Sequence, residues 1–313
     1  MTAPEVTAAA VREAATALRG VARRTPLVRV PALDCWLKLE NLQPVGAFKI
    51  RGAFTAVRRL PENARSRGVI TFSSGNHGQA VAFAAQRLHC RAVIVMPETV
   101  PAVKVEGVKR WGGEVVLAGR TSEDRRVAAE RLAAEQGLAI VPPFDHPDIV
   151  AGQATVGLEI AEQLPEVQTV VSPVGGGGLI SGIVTGLAVA GSRADVWGVE
   201  PAGAPKLSRS IAAGHPVKLD RSASLADGLI TLTVGALNFA QLERHKDRVK
   251  GVALVEDDSL RDAVHFLYRE CGFVVEPSGA ATTAAIRSGA VRPAGPTVLV
   301  VSGGNVDPAL LED

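Results

Sequence analysis

The chain is poor in several residue types at once, and each shortage excludes something. Aromatic residues make up only 4% of the 313 positions, with a single tyrosine and three tryptophans. A surface that stacks nucleic-acid bases needs aromatics interleaved with Lys/Arg clusters. No such cluster occurs and the formal net charge is +2, so nucleic acid is excluded as a partner. Cysteine is scarce as well: Cys35, Cys90 and Cys271 are the three present. Their spacing matches neither a metal site nor a redox motif, and an odd number does not build a disulfide framework. No apolar run is both long enough and free enough of charge to span a bilayer, so a membrane is not expected as a partner. The first residues carry Glu5, Arg12 and Glu13 within an Ala-rich helical pattern, unlike a signal or transit peptide. The cytoplasm is the default compartment.

What the chain does have is 47% hydrophobic and 21% charged residues, the balance of a soluble globular protein with one large or two moderate domains. That length buries an ample core without staples. The pattern predicts an amphipathic helix over residues 1–20, an extended Thr25-Pro26-Leu27 leading into a first strand, and a strand over 36–39. A turn at Gln43-Pro44-Val45-Gly46 precedes a helix from Ala47 to about Leu60-Pro61. Strands are expected at 68–72, 92–96, 114–117 and 138–141, with helices at 75–88, 100–111 and 122–136 between them. Pro142-Pro143 breaks the run. Beyond it the pattern gives a helix over 152–163, a strand over 169–174 and a helix over 179–190. Strands at 196–200 and 252–255, a helix over 259–271 and a strand over 297–301 complete the series. Short β-rich runs alternating with helices mean an α/β protein with parallel sheets.

The stretch from Lys38 to Gly52, K-L-E-N-L-Q-P-V-G-A-F-K-I-R-G, organises the rest. It places Lys49 in the first turn of a helix, beside backbone N–H groups with no intrahelical partner and the positive end of the dipole. An ammonium is disfavoured there, and a neutral amine is what carbonyl chemistry takes from lysine. The plainer reading is a surface lysine snorkelling beside Arg51. Three loops follow strands. Ser73-Ser74-Gly75-Asn76-His77-Gly78 lies between a strand and a helix, where N–H groups suit a carboxylate, although Ser and Asn are also ordinary helix caps. Gly175-Gly176-Gly177-Gly178 opens the next strand-to-helix junction. Without Cβ atoms, successive N–H groups at a helix N-terminus admit a phosphate. It is neither a G-x-G-x-x-G fingerprint nor a Walker loop, and a flexible loop is the alternative. Ser302-Gly303-Gly304-Asn305 follows the last strand, as a terminal turn or as a hydroxyl presented at the strand end.

Taken together, V-G-A-F-K-I-R-G-A, S-S-G-N-H-G-Q-A, P-V-G-G-G-G-L and S-G-G-N-V-D resemble the fold-type II pyridoxal-phosphate enzymes, in the serine/threonine dehydratase and serine racemase branch. The likeness spans nearly the whole chain with the motifs in family order. It implies a tryptophan synthase beta-like α/β fold: two open, mostly parallel sheets with helices on both faces. A larger cofactor domain would comprise residues 1–60 and 145–313, with a smaller domain, 61–144, inserted between and no C-terminal regulatory domain. By the resemblance, Lys49 holds pyridoxal 5'-phosphate covalently, Phe48 lies at the cofactor ring, and Asn76 bonds the ring's phenolic oxygen. Gly175, Gly176, Gly177 and Gly178 cradle the phosphate, and Ser302 faces the pyridine nitrogen. Ser73, Ser74, Gly75, Asn76 and His77 belong to the loop that holds the substrate carboxylate, with Ser74 able to act on the face opposite Lys49. Arg125 falls where the racemase branch has an arginine near the active-site mouth.

The implied reaction is β-elimination from an amino-acid substrate: L-threonine to 2-oxobutanoate and ammonia, or L-serine to pyruvate and ammonia. Amino-acid racemisation is the alternative, and a cofactor-carrying regulatory protein without turnover is a third reading. A homodimer or homotetramer and a place in isoleucine biosynthesis are implied as well. One departure concerns a metal. In many relatives the segment after the 196–200 strand supplies carboxylates to a divalent cation, whereas here Lys206 stands at an Asp ligand position. Hard cations take several oxygen ligands and an ammonium among them repels the ion, so no metal is expected.

Overall fold

The computed structural model describes residues 4–73 and 75–312, the side chain of Ser122 excepted. The chain opens with α1 (Ala8–Ala17), β1 (Leu27–Val30), β2 (Cys35–Leu39), α2 (Lys49–Arg59) and the single turn α3 (Glu62–Arg65). A run of alternating elements follows: β3 (Val69–Phe72), α4 (Asn76–Arg87), β4 (Ala92–Met96), α5 (Ala102–Lys109), β5 (Glu114–Leu117), α6 (Ser122–Gln136) and β6 (Ala139–Ile140). The chain continues with α7 (Pro147–Gln163), β7 (Thr169–Pro173), α8 (Gly178–Val189), β8 (Asp195–Pro201), α9 (Lys206–Ala213) and α10 (Ala236–Arg244). It closes with β9 (Val249–Val255), α11 (Asp257–Arg269), α12 (Pro277–Arg287) and β10 (Thr297–Val301).

The strands form two sheets. One has six strands in the order β1-β2-β10-β7-β8-β9, and the other four in the order β5-β4-β3-β6. Among the described strands, only β1 with β2 is antiparallel and the other strand pairs are parallel. Parallel sheets need both faces covered, which is why β4 is apolar throughout, β10 is apolar after Thr297, and both are buried along their whole length. One face of the larger sheet packs on α11 and α12, and the other on α7, α8 and α10. The smaller sheet lies between α2 with α4 and, on its far side, α6. None of the described helices is long and apolar enough to cross a membrane.

Most boundaries follow local chemistry. Thr121 and Asp124 form a reciprocal capping box at the start of α6, and Gly137 in the left-handed region ends it. Helix α7 begins five residues before the expected Gly152, because His146 caps it and Pro147 occupies its first position. Four of the described helices, the single-turn α3 and α9, α10 and α12, were not anticipated from the pattern. Helix α12 is Ala-rich and buried on nearly every face, so it has no amphipathic stripe to read.

Helix α2 is fixed by charge. Arg51 is buried, and its guanidinium meets both Glu40 oxygens, Nε to Oε2 and Nη2 to Oε1, each at 2.7 Å. Its Nη1 also reaches Glu159 at 2.6 Å and Thr155 at 3.0 Å. Lys38 on β2 ion-pairs with Glu159 and donates to Thr25 O at 2.8 Å. Two cations and two carboxylates thus form a neutral buried set tying α2 to β2 and α7. Arg51 is therefore not the surface neighbour that the plainer reading of Lys49 assumed. Burial pushes the Glu40 carboxyl up, but the Arg51 charge and hydrogen bonds outweigh it and hold the group below its ordinary 4.5.

Removing one member strands its partner. Arg51→Met is expected to cost about 3–5 kcal/mol, seen as a lower thermal midpoint. A depressed carboxyl contributes stability that is present above about pH 4.5 and lost as pH falls through the folded value. The parent should therefore lose stability on acidification more steeply than the variant. Identical midpoints, or parallel pH profiles, would show that the set does not hold the fold.

Candidate active site

Every motif singled out in the sequence lies beyond the C-terminal end of a parallel strand or at the start of the helix that follows, where α/β sheets gather ligands. The turn before α2 is closed by Gly46, whose φ of +71° favours glycine and whose Cβ would strike the Asn305 side chain. The loop after β10 zips onto this turn. Ala47 bridges Gly303, Phe48 N donates to Ser302 O at 3.0 Å, and Gly304 N donates to Gly46 O at 2.9 Å. Phe48 packs against the core of the larger sheet.

Lys49 is the first residue of α2. Its Nζ donates to Pro143 O at 2.8 Å and stands 5.3 Å from the centre of the Phe48 ring. Burial lowers its pKa to about 8, with the Glu276 carboxylate pulling the other way. A neutral amine is thus accessible near neutrality, as the sequence suggested, but for a different reason. Desolvation, rather than the helix dipole, is the main cause.

Asn76 begins α4. Its Nδ2 donates to Glu276 Oε1 at 2.7 Å, and its Oδ1 accepts from Asn305 Nδ2 at 2.7 Å. Three loops therefore meet through two amides and one carboxyl. Ser73 Oγ accepts from Gly75 N at 3.3 Å, while Ser74 lies outside the described residues. His77 is buried and its Nε2 is 3.1 Å from Val141 O. Burial, then the nearby Lys49 charge, lowers its pKa to about 3. The ring is therefore neutral, donates through Nε2–H, and spends that donor on the backbone of the smaller sheet. Arg125 sits in the first turn of α6, with Nε 3.3 Å from Thr121 O.

The glycine run is built as a cradle. A Cβ at Gly175 would lie 2.7 Å from Gly228 O, one at Gly176 would enter the Phe144 ring, and Gly177 has φ +89°. Gly176 O accepts from Asn238 Nδ2 at 2.8 Å and from Gly235 N at 3.0 Å. In a planar trans peptide, C=O and N–H point in opposite directions, so the Gly177 N–H faces away from Asn238. Among the described residues, none accepts a hydrogen bond from the N–H groups of Gly175, Gly176, Gly177 or Gly178. Unpaired donors at the start of α8 suit a phosphate dianion. Ser302 is buried, its Oγ 3.5 Å from Ser278 O, and Ser278 Oγ in turn accepts from Gly228 N at 3.0 Å.

Glu276 was missed by the sequence reading. It precedes Pro277 at the start of α12, and an acidic residue before a helix-opening proline is the signal that could have found it. Burial, then the Asp227 charge, raises its carboxyl to about 8. Asp227 itself pairs with Lys104 of α5 at 2.7 Å, linking the two sheets' layers beside the glycine run.

A buried lysine with a depressed pKa, bonded to Pro143 O next to the Phe144 that packs on a glycine run with unpaired N–H groups, suits a cofactor-dependent α/β enzyme of amine chemistry. A family model described as "Pyridoxal-phosphate dependent enzyme" matches residues 18–303, and the chain belongs to that family. Its cofactor is pyridoxal 5'-phosphate, and the phosphate cradle and Lys49 fit that group. The chain is 36% identical over 308 residues to an L-threonine ammonia-lyase of Thermotoga maritima, covering 96% of this chain and 76% of that one. A threonine dehydratase of Nicotiana attenuata is 43% identical over 248 residues. The match takes in 79% of this chain but 41% of the Nicotiana protein, so the chain spans about two-fifths of that relative. The structure of maize serine racemase superposes with a TM-score of 0.91 at 36% identity, covering 97% of this chain and 94% of that one.

The Glu276 pKa carries a pH signature. A carboxyl raised from 4.5 to about 8 binds more protons folded than unfolded. Stability should therefore fall as pH rises between those values. With the cofactor removed, Glu276→Gln should abolish that decline, melting like the parent near pH 5 and above it at pH 8, on the order of several degrees. Superimposable parent and variant profiles would place the Glu276 carboxyl in solvent-like surroundings.

Proposed function

We propose that the chain is a threonine/serine dehydratase, converting L-threonine to 2-oxobutanoate and ammonia and L-serine to pyruvate and ammonia by β-elimination. The observation that carries this reading is the buried Lys49 amine, with a pKa of about 8, bonded to Pro143 O next to the Phe144 that packs on Gly176 and Gly178 of the glycine run, whose N–H groups are unpaired among the described residues. The similarity to the Thermotoga and Nicotiana proteins supports it.

Bound pyridoxal phosphate supplies an electron-withdrawing ring that acidifies the α-proton of an amino acid attached through its amine. The chain's own residues do the rest. Gly175 to Gly178 hold the phosphate on their N–H groups. Phe48 would lie at the ring, Asn76 would offer its amide to the phenolic oxygen, and Ser302 would offer the ring nitrogen a hydroxyl. A hydroxyl, unlike an aspartate, would not hold a proton on that nitrogen. Lys49 would tether the cofactor and would serve as the general base toward the α-proton. Ser73, Ser74, Gly75 and His77 shape the loop for the substrate carboxylate, with Arg125 toward the mouth. The same residues also suit racemisation, with Ser74 acting on the opposite face, and the similarity to maize serine racemase supports that second reading. The proposal extends to a cytoplasmic homodimer or homotetramer whose 2-oxobutanoate feeds isoleucine biosynthesis.

The test is 2-oxo acid release from L- and D-threonine and L- and D-serine, with chiral analysis of the remaining substrate. L-Threonine and L-serine should be eliminated fastest, and Lys49→Ala should lower release at least about 10³-fold. After borohydride reduction, mass spectrometry should find the cofactor attached to the parent and not to the variant. A variant that keeps both the attachment and near-parental release removes Lys49 from the mechanism; inverted substrate without oxo acid favours the racemase.

A further inference from the structure

Lys206 opens α9, and its side chain is completely buried. Both circumstances oppose a charge: the helix start carries the positive end of the dipole, and burial removes water. What offsets them is a cage of oxygen. Nζ lies 2.9 Å from Val174 O, 2.9 Å from Leu229 O, 3.1 Å from Ala204 O and 3.0 Å from Glu200 Oε1. An ammonium has three N–H donors for these four acceptors; a neutral amine would turn its lone pair onto one of the oxygens. Glu200 supplies the countercharge and is itself satisfied, Oε1 by Leu207 N at 2.7 Å and Oε2 by Ser208 N at 3.0 Å and Ser208 Oγ at 3.1 Å.

Three carbonyls and a carboxylate form the donor set of a hard cation. Their separations from the centre are those of N–H···O bonds, however, and the centre is filled by the side chain itself. The divalent cation implied by the family resemblance does not fit here. The cage also lies directly behind the phosphate cradle. The Val174–Gly175 peptide has its carbonyl pinned to Nζ, so its N–H, that of Gly175, points the opposite way. Leu229 O, also pinned, belongs to the turn whose Gly228 carbonyl packs against Gly175.

We propose that Lys206 is a tethered cation: its ammonium occupies a built-in cation site, holds the ends of β7 and β8 to the Asp227–Leu229 turn, and so aims the glycine N–H groups at the cofactor phosphate. It is a positioning residue and touches no reacting atom. The inference rests on the glycine run being the phosphate cradle, and it stands whichever reaction the enzyme performs.

The experiment follows cofactor affinity and thermal midpoint rather than turnover. In the parent, both should be unchanged by chelator and by replacing potassium with tetramethylammonium at constant ionic strength. Lys206→Ala in tetramethylammonium should bind pyridoxal phosphate about 10–100-fold more weakly, the scale of a lost charge-assisted hydrogen bond. Its midpoint should fall as well. Potassium or ammonium should restore both in Lys206→Ala but not in Lys206→Met, whose side chain fills the space without a charge. Parental affinity in Lys206→Ala, or a deficit that neither potassium nor ammonium relieves, would overturn the proposal. Should the variant not fold, the parent still discriminates. A parental midpoint or cofactor affinity that drops on chelation or on removal of potassium would mean that a free cation, and not Lys206, occupies the site.

Discussion

The site depends first on how the chain houses buried charge near the strand ends. Arg51 and Lys38 face Glu40 and Glu159 in a set whose formal charges cancel. Taking four charges out of water costs more than a single pair returns, and the deficit closes only when each is hydrogen-bonded on several sides. Arg51 achieves this with a two-pronged grip on Glu40 and further bonds to Glu159 and Thr155. Because Arg51 lies on the same helix as Lys49, one turn of α2 cannot shift without breaking those bonds. The position of the Lys49 amine is thus set by an ion network rather than by apolar packing alone.

Three partly or fully buried lysines show how surroundings decide charge. Burial pulls all three below their ordinary pKa. Lys38 has the carboxylate of Glu159, the Thr25 carbonyl and Gln163 around its nitrogen. Lys206 has three carbonyls and Glu200. Lys49 has a single carbonyl, that of Pro143, and an aromatic face. The first two environments reward a positive charge at short range, whereas the third leaves burial largely uncompensated. The sequence contains no sign of this difference at the residues themselves, since all three are lysines next to apolar neighbours.

That contrast marks what was legible in the sequence. Strand positions such as 92–96, 114–117 and 297–301 were read to the residue, because strand and turn signals are local. The glycine run and the strand-end loops were legible for the same reason. The unread parts are those made by distant partners. Arg51 looks like a surface group until Glu159, 108 residues away, is brought beside it. Glu276 meets Asn76 across 200 residues, and no period or cap encodes that meeting. The hydrophobic pattern also failed at α12, where small residues buried on all sides leave neither a polar face nor a stripe.

The same logic governs protons in the cleft. Lys49 and Glu276 both lie near 8, and each is in the other's field. The charge on each favours the charge on the other. Around neutrality the pair has two ways to carry the same proton count: a neutral amine with a protonated carboxyl, or an ammonium with a carboxylate. The first keeps the amine able to take a proton and lets the carboxyl donate a hydrogen bond. The second supplies the opposite of each. Asp227 favours the protonated carboxyl, and Lys104, its partner from the other sheet's layer, opposes it. The proton balance beside Lys49 is thus weighted by an ion pair that joins the layers of the two sheets.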